Sequence, residues 1–81
     1  MAAKMTLAKF AIAVHAERPN AVCKDDPARG GFTTTDETIQ YNNGRWWYAE
    51  VKSVCGSGNT LKAAIANYQE NMSEDLKIYD Y

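Results

Sequence analysis

Asn43–Gly44 is the feature that most constrains what this chain can fold into. A two-residue hairpin loop needs positive φ at both central positions, which Asn and Gly accept more readily than other residues. Thr-rich and aromatic segments flank the pair, Thr33–Asn42 before it and Arg45–Val54 after it. The spacing predicts a β-hairpin over Thr33–Val54 and sets its register. Asn42 faces Arg45, Tyr41 faces Trp46, Ile39 faces Tyr48 and Glu37 faces Glu50. On the opposite face Gln40 meets Trp47, Thr38 meets Ala49 and Asp36 meets Val51.

Which face is covered does not follow from register alone. Trp47, Ala49 and Val51 are expected to lie beneath a helix, because small and β-branched residues suit a covering element. Tyr41, Trp46 and Tyr48 would then be exposed with Glu37, Glu50 and Lys52. Opposed carboxylates at 37 and 50 fit water better than a core. An exposed Tyr/Trp cluster rimmed by charge is the composition of a protein-binding hot spot. In the alternative, Arg18, Arg29 or the Pro19–Gly31 loop folds over these rings.

Helices are expected on both sides of the hairpin. Leu7, Phe10, Ala11 and Val14 fall at i, i+3, i+4 and i+7, Thr6 can cap, and Arg18–Pro19 marks a stop. Phe10, Ile12 and Val14 also alternate, as in a strand, but the Ala content favours a helix near Thr6–Glu17. Leu61, Ala64, Ile65, Tyr68 and Met72 make a second apolar stripe, predicting a helix over Thr60–Met72 capped by Asn59 or Thr60. Gly56-Ser57-Gly58-Asn59 is expected to break the sheet before it. Ala21–Lys24 can form a short edge strand within the irregular Pro19–Gly31 stretch, and Leu76–Tyr81 a short final strand. At 81 residues the chain makes one domain over 1–81. The expected fold is α+β, a small antiparallel sheet centred on the hairpin and packed on one or two helices, in the order α-β-β-α-β.

Composition narrows the function. Nine Lys and Arg against ten Asp and Glu leave a net charge of −1, without the basic footprint of a nucleic-acid binder. No apolar run reaches the length of a membrane span. The start, MAAKMTLAKFAIAVHA, has a faint signal-peptide look, but Lys9 interrupts it. A cytoplasmic location is expected.

Catalytic chemistry has little to stand on. His15 is the only histidine, and Cys23 and Cys55 form no CxxC pair. Both thiols are expected to be reduced, with a single disulfide as the alternative. Asp25, Asp26, Asp36 and Glu37 match no calcium-loop spacing and read as a solvated acidic loop. Gly56–Thr60 could cradle a phosphate, yet it lacks the Walker and dinucleotide spacings, so a capped turn is the plainer reading. No enzymatic activity, cofactor or metal is expected.

Three resemblances accompany these residues. Gly58-Asn59-Thr60-Leu61 and Ala63–Ala66, within GRWWYAEVKSVCGSGNTLKAAIANYQENM, resemble the strand–turn–helix of HicB-like antitoxin domains. Gly56–Lys62 resembles the turn before the last helix of double-stranded RNA-binding domains, which implies a phosphate contact at Lys62. As a short, aromatic-rich chain without a catalytic signature, the whole resembles small phage or mobile-element inhibitors of the anti-CRISPR type. That resemblance implies a non-enzymatic protein-binding module that occludes a surface of a larger host or defence complex. A nucleic-acid-binding regulator of antitoxin or RNA-binding type is the alternative.

Overall fold

A computed structural model describes residues 4–51 and 54–79. The first helix, α1 (Leu7–Glu17), starts where Thr6 accepts a hydrogen bond from the Lys9 N–H at 3.2 Å. It ends at Arg18, whose N–H still reaches Val14 O, just before Pro19. Ala-rich spacing thus gives a helix rather than a strand, with Phe10 and Val14 as its buried stripe.

Five strands follow: β1 (Cys23–Asp26), β2 (Gly31–Thr34), β3 (Ile39–Asn42), β4 (Arg45–Val51) and β5 (Val54–Gly58). They form one antiparallel sheet in the order β1-β2-β3-β4-β5, each hydrogen-bonded to its neighbour in sequence. The last element is α2 (Leu61–Tyr79), with the Thr60 hydroxyl accepting from the Ala63 N–H at its start. The protein is therefore α+β, with an antiparallel sheet packed against two helices.

The β3–β4 hairpin closes as its turn residues require. Asn43 and Gly44 have φ of 53° and 74°, and the pairs Asn42–Arg45, Tyr41–Trp46, Gln40–Trp47 and Ile39–Tyr48 are all in register. Thr38 O accepts the Ala49 N–H at 2.9 Å.

Beyond that hairpin the strand limits differ from expectation. Thr33–Asn42 is not continuous: the chain turns at residues 35–38, Glu37 N–H reaching Thr34 O at 2.9 Å with Glu37 at φ 61°. Glu37 and Glu50 accordingly do not oppose each other, nor do Asp36 and Val51. Arg45–Val54 is likewise two strands, since Val51 pairs back with Val54. Gly56–Gly58 does not break the sheet. It pairs with β4, Gly56 beside Tyr48 and Gly58 beside Trp46. Residues 76–79 continue α2 instead of forming a final strand, and 80–81 lie outside the described residues.

The core lies on one face of the sheet. Phe10, Val14, Ile39, Trp46, Tyr48, Val54, Leu61, Ala64 and Tyr68 form it. Phe10 of α1 stacks on Trp46 with centroids 5.3 Å apart and planes 6° apart. Tyr68 of α2 meets Tyr48 edge-on at 5.1 Å. Glycine lets α2 come this close: a Cβ at Gly56 would sit 2.2 Å from Tyr68 N and 2.3 Å from Ala64 O.

Both sheet edges are protected. On β5, Asn67 of α2 accepts the Ser57 N–H at 3.0 Å, and Asn71 donates to Cys55 O at 2.7 Å. On β1, three of four residues are charged in Cys-Lys-Asp-Asp, which disfavours pairing with another edge. Cys23 and Cys55 are free thiols on these opposite edges. Four strand spacings of about 4.8 Å separate them, well beyond the roughly 4.4–6.8 Å between Cα atoms that a disulfide needs. An intrachain disulfide is therefore excluded. No described helix is long and apolar enough to cross a membrane.

Candidate functional site

The expected binding face is the core face. Trp46 is 5% and Tyr48 6% exposed, enclosed by Phe10 and Tyr68. Tyr41 is half-buried, edge-on to Trp46 at 5.3 Å. The physical reason is helix placement. α2 packs where Gly56 and Gly58 leave room and α1 stacks Phe10 on Phe32 and Trp46, and this is the face of Trp46 and Tyr48. Trp47 and Ala49, expected beneath a helix, are only partly buried on the other face. Val51 pairs with Val54 at the β4–β5 turn, and Lys52 lies outside the described residues.

The expected charges are also taken up locally. Glu50 accepts from the Arg18 guanidinium at 2.8 Å and from the Tyr48 hydroxyl, to which Arg18 also donates. The guanidinium sits 5.5 Å from the Tyr48 ring centre. Arg18 thus folds over one ring of the cluster and ties the end of α1 to β4. Burial, with the Glu50 hydrogen bond, pushes the Tyr48 hydroxyl above its ordinary pKa against the opposing pull of Arg18. Glu37 lies in the β2–β3 turn, 4.0 Å from Arg29, which also pairs with Asp26 at 3.0 Å. Asp36 accepts from the Thr34 hydroxyl at 2.6 Å and the Thr38 N–H at 3.1 Å. These bonds hold its carboxyl below the ordinary range. Asp26 and Glu37 thus share Arg29 while Asp36 holds the β2–β3 turn, and no described group of three or more His, Cys, Asp or Glu could hold a metal ion.

Two surfaces remain. One is a cleft of about 600 Å³ between the start of α1, the β1–β2 turn and β3, walled by Met5, Pro27, Phe32 and Tyr41 with Lys4 and Asp25 beside them. Of the expected site residues, Tyr41 alone lines it. Phe32 and Tyr41 are the outer members of the aromatic stack around Phe10 and Trp46.

The other surface is the open face of the sheet. Register places Lys24, Thr33, Gln40, Trp47 and Ser57 in one row across all five strands. Arg45 stands beside the row and donates to the Ser57 hydroxyl at 3.2 Å. A hollow of about 340 Å³ lies on this face, bounded by Arg29, Glu37, Gln40, Asn42, Trp47 and Cys55. Trp47 Nε1 is buried there without a hydrogen-bond partner among the described residues. Leaving such a donor unpaired costs about 1–3 kcal/mol.

The chain matches no family model, no curated relative and no solved structure.

Sequence reasoning found the Gln40–Trp47 pair but put it on the covered side. The signal that points the other way is Val54-Cys-Gly-Ser-Gly58 read as a strand. Its alternation sets Val54, Gly56 and Gly58 on one face, a face without large side chains where a helix can seat.

Proposed function

We propose that this chain is a non-enzymatic protein-binding module whose docking surface is the open face of the sheet, centred on Trp47. One observation carries the reading: both helices pack on a single face, so the cross-strand row from Lys24 to Ser57 has no helix over it, with Lys24 exposed, Gln40, Trp47 and Ser57 partly exposed and Thr33 buried. A rigid antiparallel face with one large aromatic among amide and hydroxyl groups suits recognition, since hot spots are rich in Trp and Arg within a polar rim. Both edges are protected, so the face rather than strand addition is the mode of docking. A module of this kind acts by covering a partner's surface, as a phage-type inhibitor of a larger host complex would.

The test is capture from nuclease-treated bacterial lysate on immobilised protein. Wild type retains a defined protein partner and Trp47→Ala, still folded, loses it. Retention of the same partner by folded Trp47→Ala, or retention only of nuclease-sensitive material, overturns the reading.

A further inference from the structure

Charge is not spread evenly over the open face. Among the described residues three cations, Lys24, Arg29 and Arg45, and two carboxylates, Asp26 and Glu37, belong to it. Arg29 folds back from the β1–β2 turn and takes both carboxylates, Asp26 at 3.0 Å and Glu37 at 4.0 Å. Among the described residues neither Lys24 nor Arg45 is paired with a carboxylate, and Arg45 binds only the neutral Ser57 hydroxyl. On the helix side, by contrast, Arg18 is held by Glu50. A chain of net charge −1 thus turns a locally positive surface outward around Trp47.

Resting on the open-face reading above, we propose that the partner segment docking there is acidic. Its carboxylates meet Lys24 on β1 and Arg45 on β4, and an apolar side chain between them lies against the Trp47 ring. Lys24 and Trp47 stand three strands apart, about 14 Å at the usual spacing. Arg45 is two residues from Trp47 on the same strand, about 7 Å away. Lys24 therefore lies across the strands from the indole and Arg45 along its own strand, both at distances a short peptide spans. Gln40 and Asn42 on β3 supply hydrogen-bonding groups between β1 and β4, and the Ser57 hydroxyl lies just beyond Trp47 on β5. A nucleic-acid strand fits this surface less well. Phosphate tracking draws on many cations and stacking on several ring faces, whereas here two cations without a carboxylate partner among the described residues accompany one partly buried ring.

The experiment titrates the full chain with a short Asp/Glu-rich peptide carrying one central Phe. Controls are its Lys-rich counterpart and an oligothymidylate of similar length, followed by amide NMR shifts and fluorescence anisotropy. Expected are saturable binding of the acidic peptide alone and shifts confined to β1, β3, β4 and β5 around Lys24, Gln40, Trp47 and Ser57. Affinity falls as salt rises and the Debye length contracts from about 10 Å at 0.1 M towards about 3 Å at 1 M. Lys24→Glu with Arg45→Glu weakens binding by about tenfold or more, roughly 1.4 kcal/mol per decade, with an unchanged melt. Absence of saturable binding, preference for the oligonucleotide, or shifts on the helices overturns the acidic partner. If the charge-reversed protein still captures the lysate partner that Trp47→Ala loses, the acidic assignment fails while the open-face reading stands.

Discussion

Replacing each of the neighbours Trp46 and Trp47 with alanine separates the two faces of the sheet in one measurement. Trp46 is 5% exposed, stacked on Phe10 at 5.3 Å and edge-on to Tyr41 at 5.3 Å. Cutting a core Trp to Ala costs about 3–5 kcal/mol, and two aromatic contacts at about 0.5–1.5 kcal/mol each place this site near the upper end. A domain of 81 residues has a total stability of only about 4–12 kcal/mol, at roughly 0.05–0.15 per residue. Trp46→Ala therefore removes from about a third to all of it. Trp47→Ala loses a partly solvated ring but also removes the buried Nε1–H that has no acceptor among the described residues. Loss of apolar burial and relief of about 1–3 kcal/mol of donor desolvation oppose each other. The net change is expected to stay within about 1 kcal/mol. Urea unfolding followed by far-UV circular dichroism measures both, because tryptophan fluorescence changes with the substitution itself. A Trp46→Ala midpoint equal to wild type, with Trp47→Ala unfolded, would refute the assignment of faces.

Gly56→Ala drives a methyl group into the backbone of α2, 2.2 Å from Tyr68 N and 2.3 Å from Ala64 O. It should destabilise by at least the roughly 1–3 kcal/mol of an overpacked core, read as a lowered thermal midpoint; an unchanged melt means α2 does not seat on β5. For Asp36, the Thr34 and Thr38 hydrogen bonds depress the folded-state carboxyl pKa. Its contribution is present above the unfolded value near 3.9 and is lost as pH falls through the lower folded value. Melts from neutral pH down to about pH 2 should show a shallower acid loss for Asp36→Asn than for wild type. Parallel acid limbs would mean the β2–β3 turn does not depend on the ionised carboxylate.

Much of the architecture is legible locally. Thr6, the Phe10/Val14 spacing and Arg18–Pro19 mark out α1 because capping, side-chain spacing and a proline act within a few residues. The Leu61/Ala64/Tyr68 stripe marks α2 for the same reason, with Ile65 and Met72 partly buried beside it. The other edge of legibility is β5. Two glycines in five residues have the composition of a turn. They form a strand because the absent side chains are replaced by the backbone of α2 packed against them, a contact between two elements rather than within one.

Local chemistry by itself determined the hairpin. Asn43–Gly44 accepts positive φ at both positions, the two-residue loop sets the register, and period-two alternation puts Tyr41, Trp46 and Tyr48 on one face and Gln40 and Trp47 on the other. What only the tertiary structure decided is which of those faces meets water. Either face carries a tryptophan, and alternation is symmetric between them. The choice was made by helices whose docking depends on glycines at 56 and 58 and on Phe10 stacking over Trp46. Burying an apolar ring is favourable on either face, but α2 can approach closely only where the neighbouring strand has no side chain to hold it off.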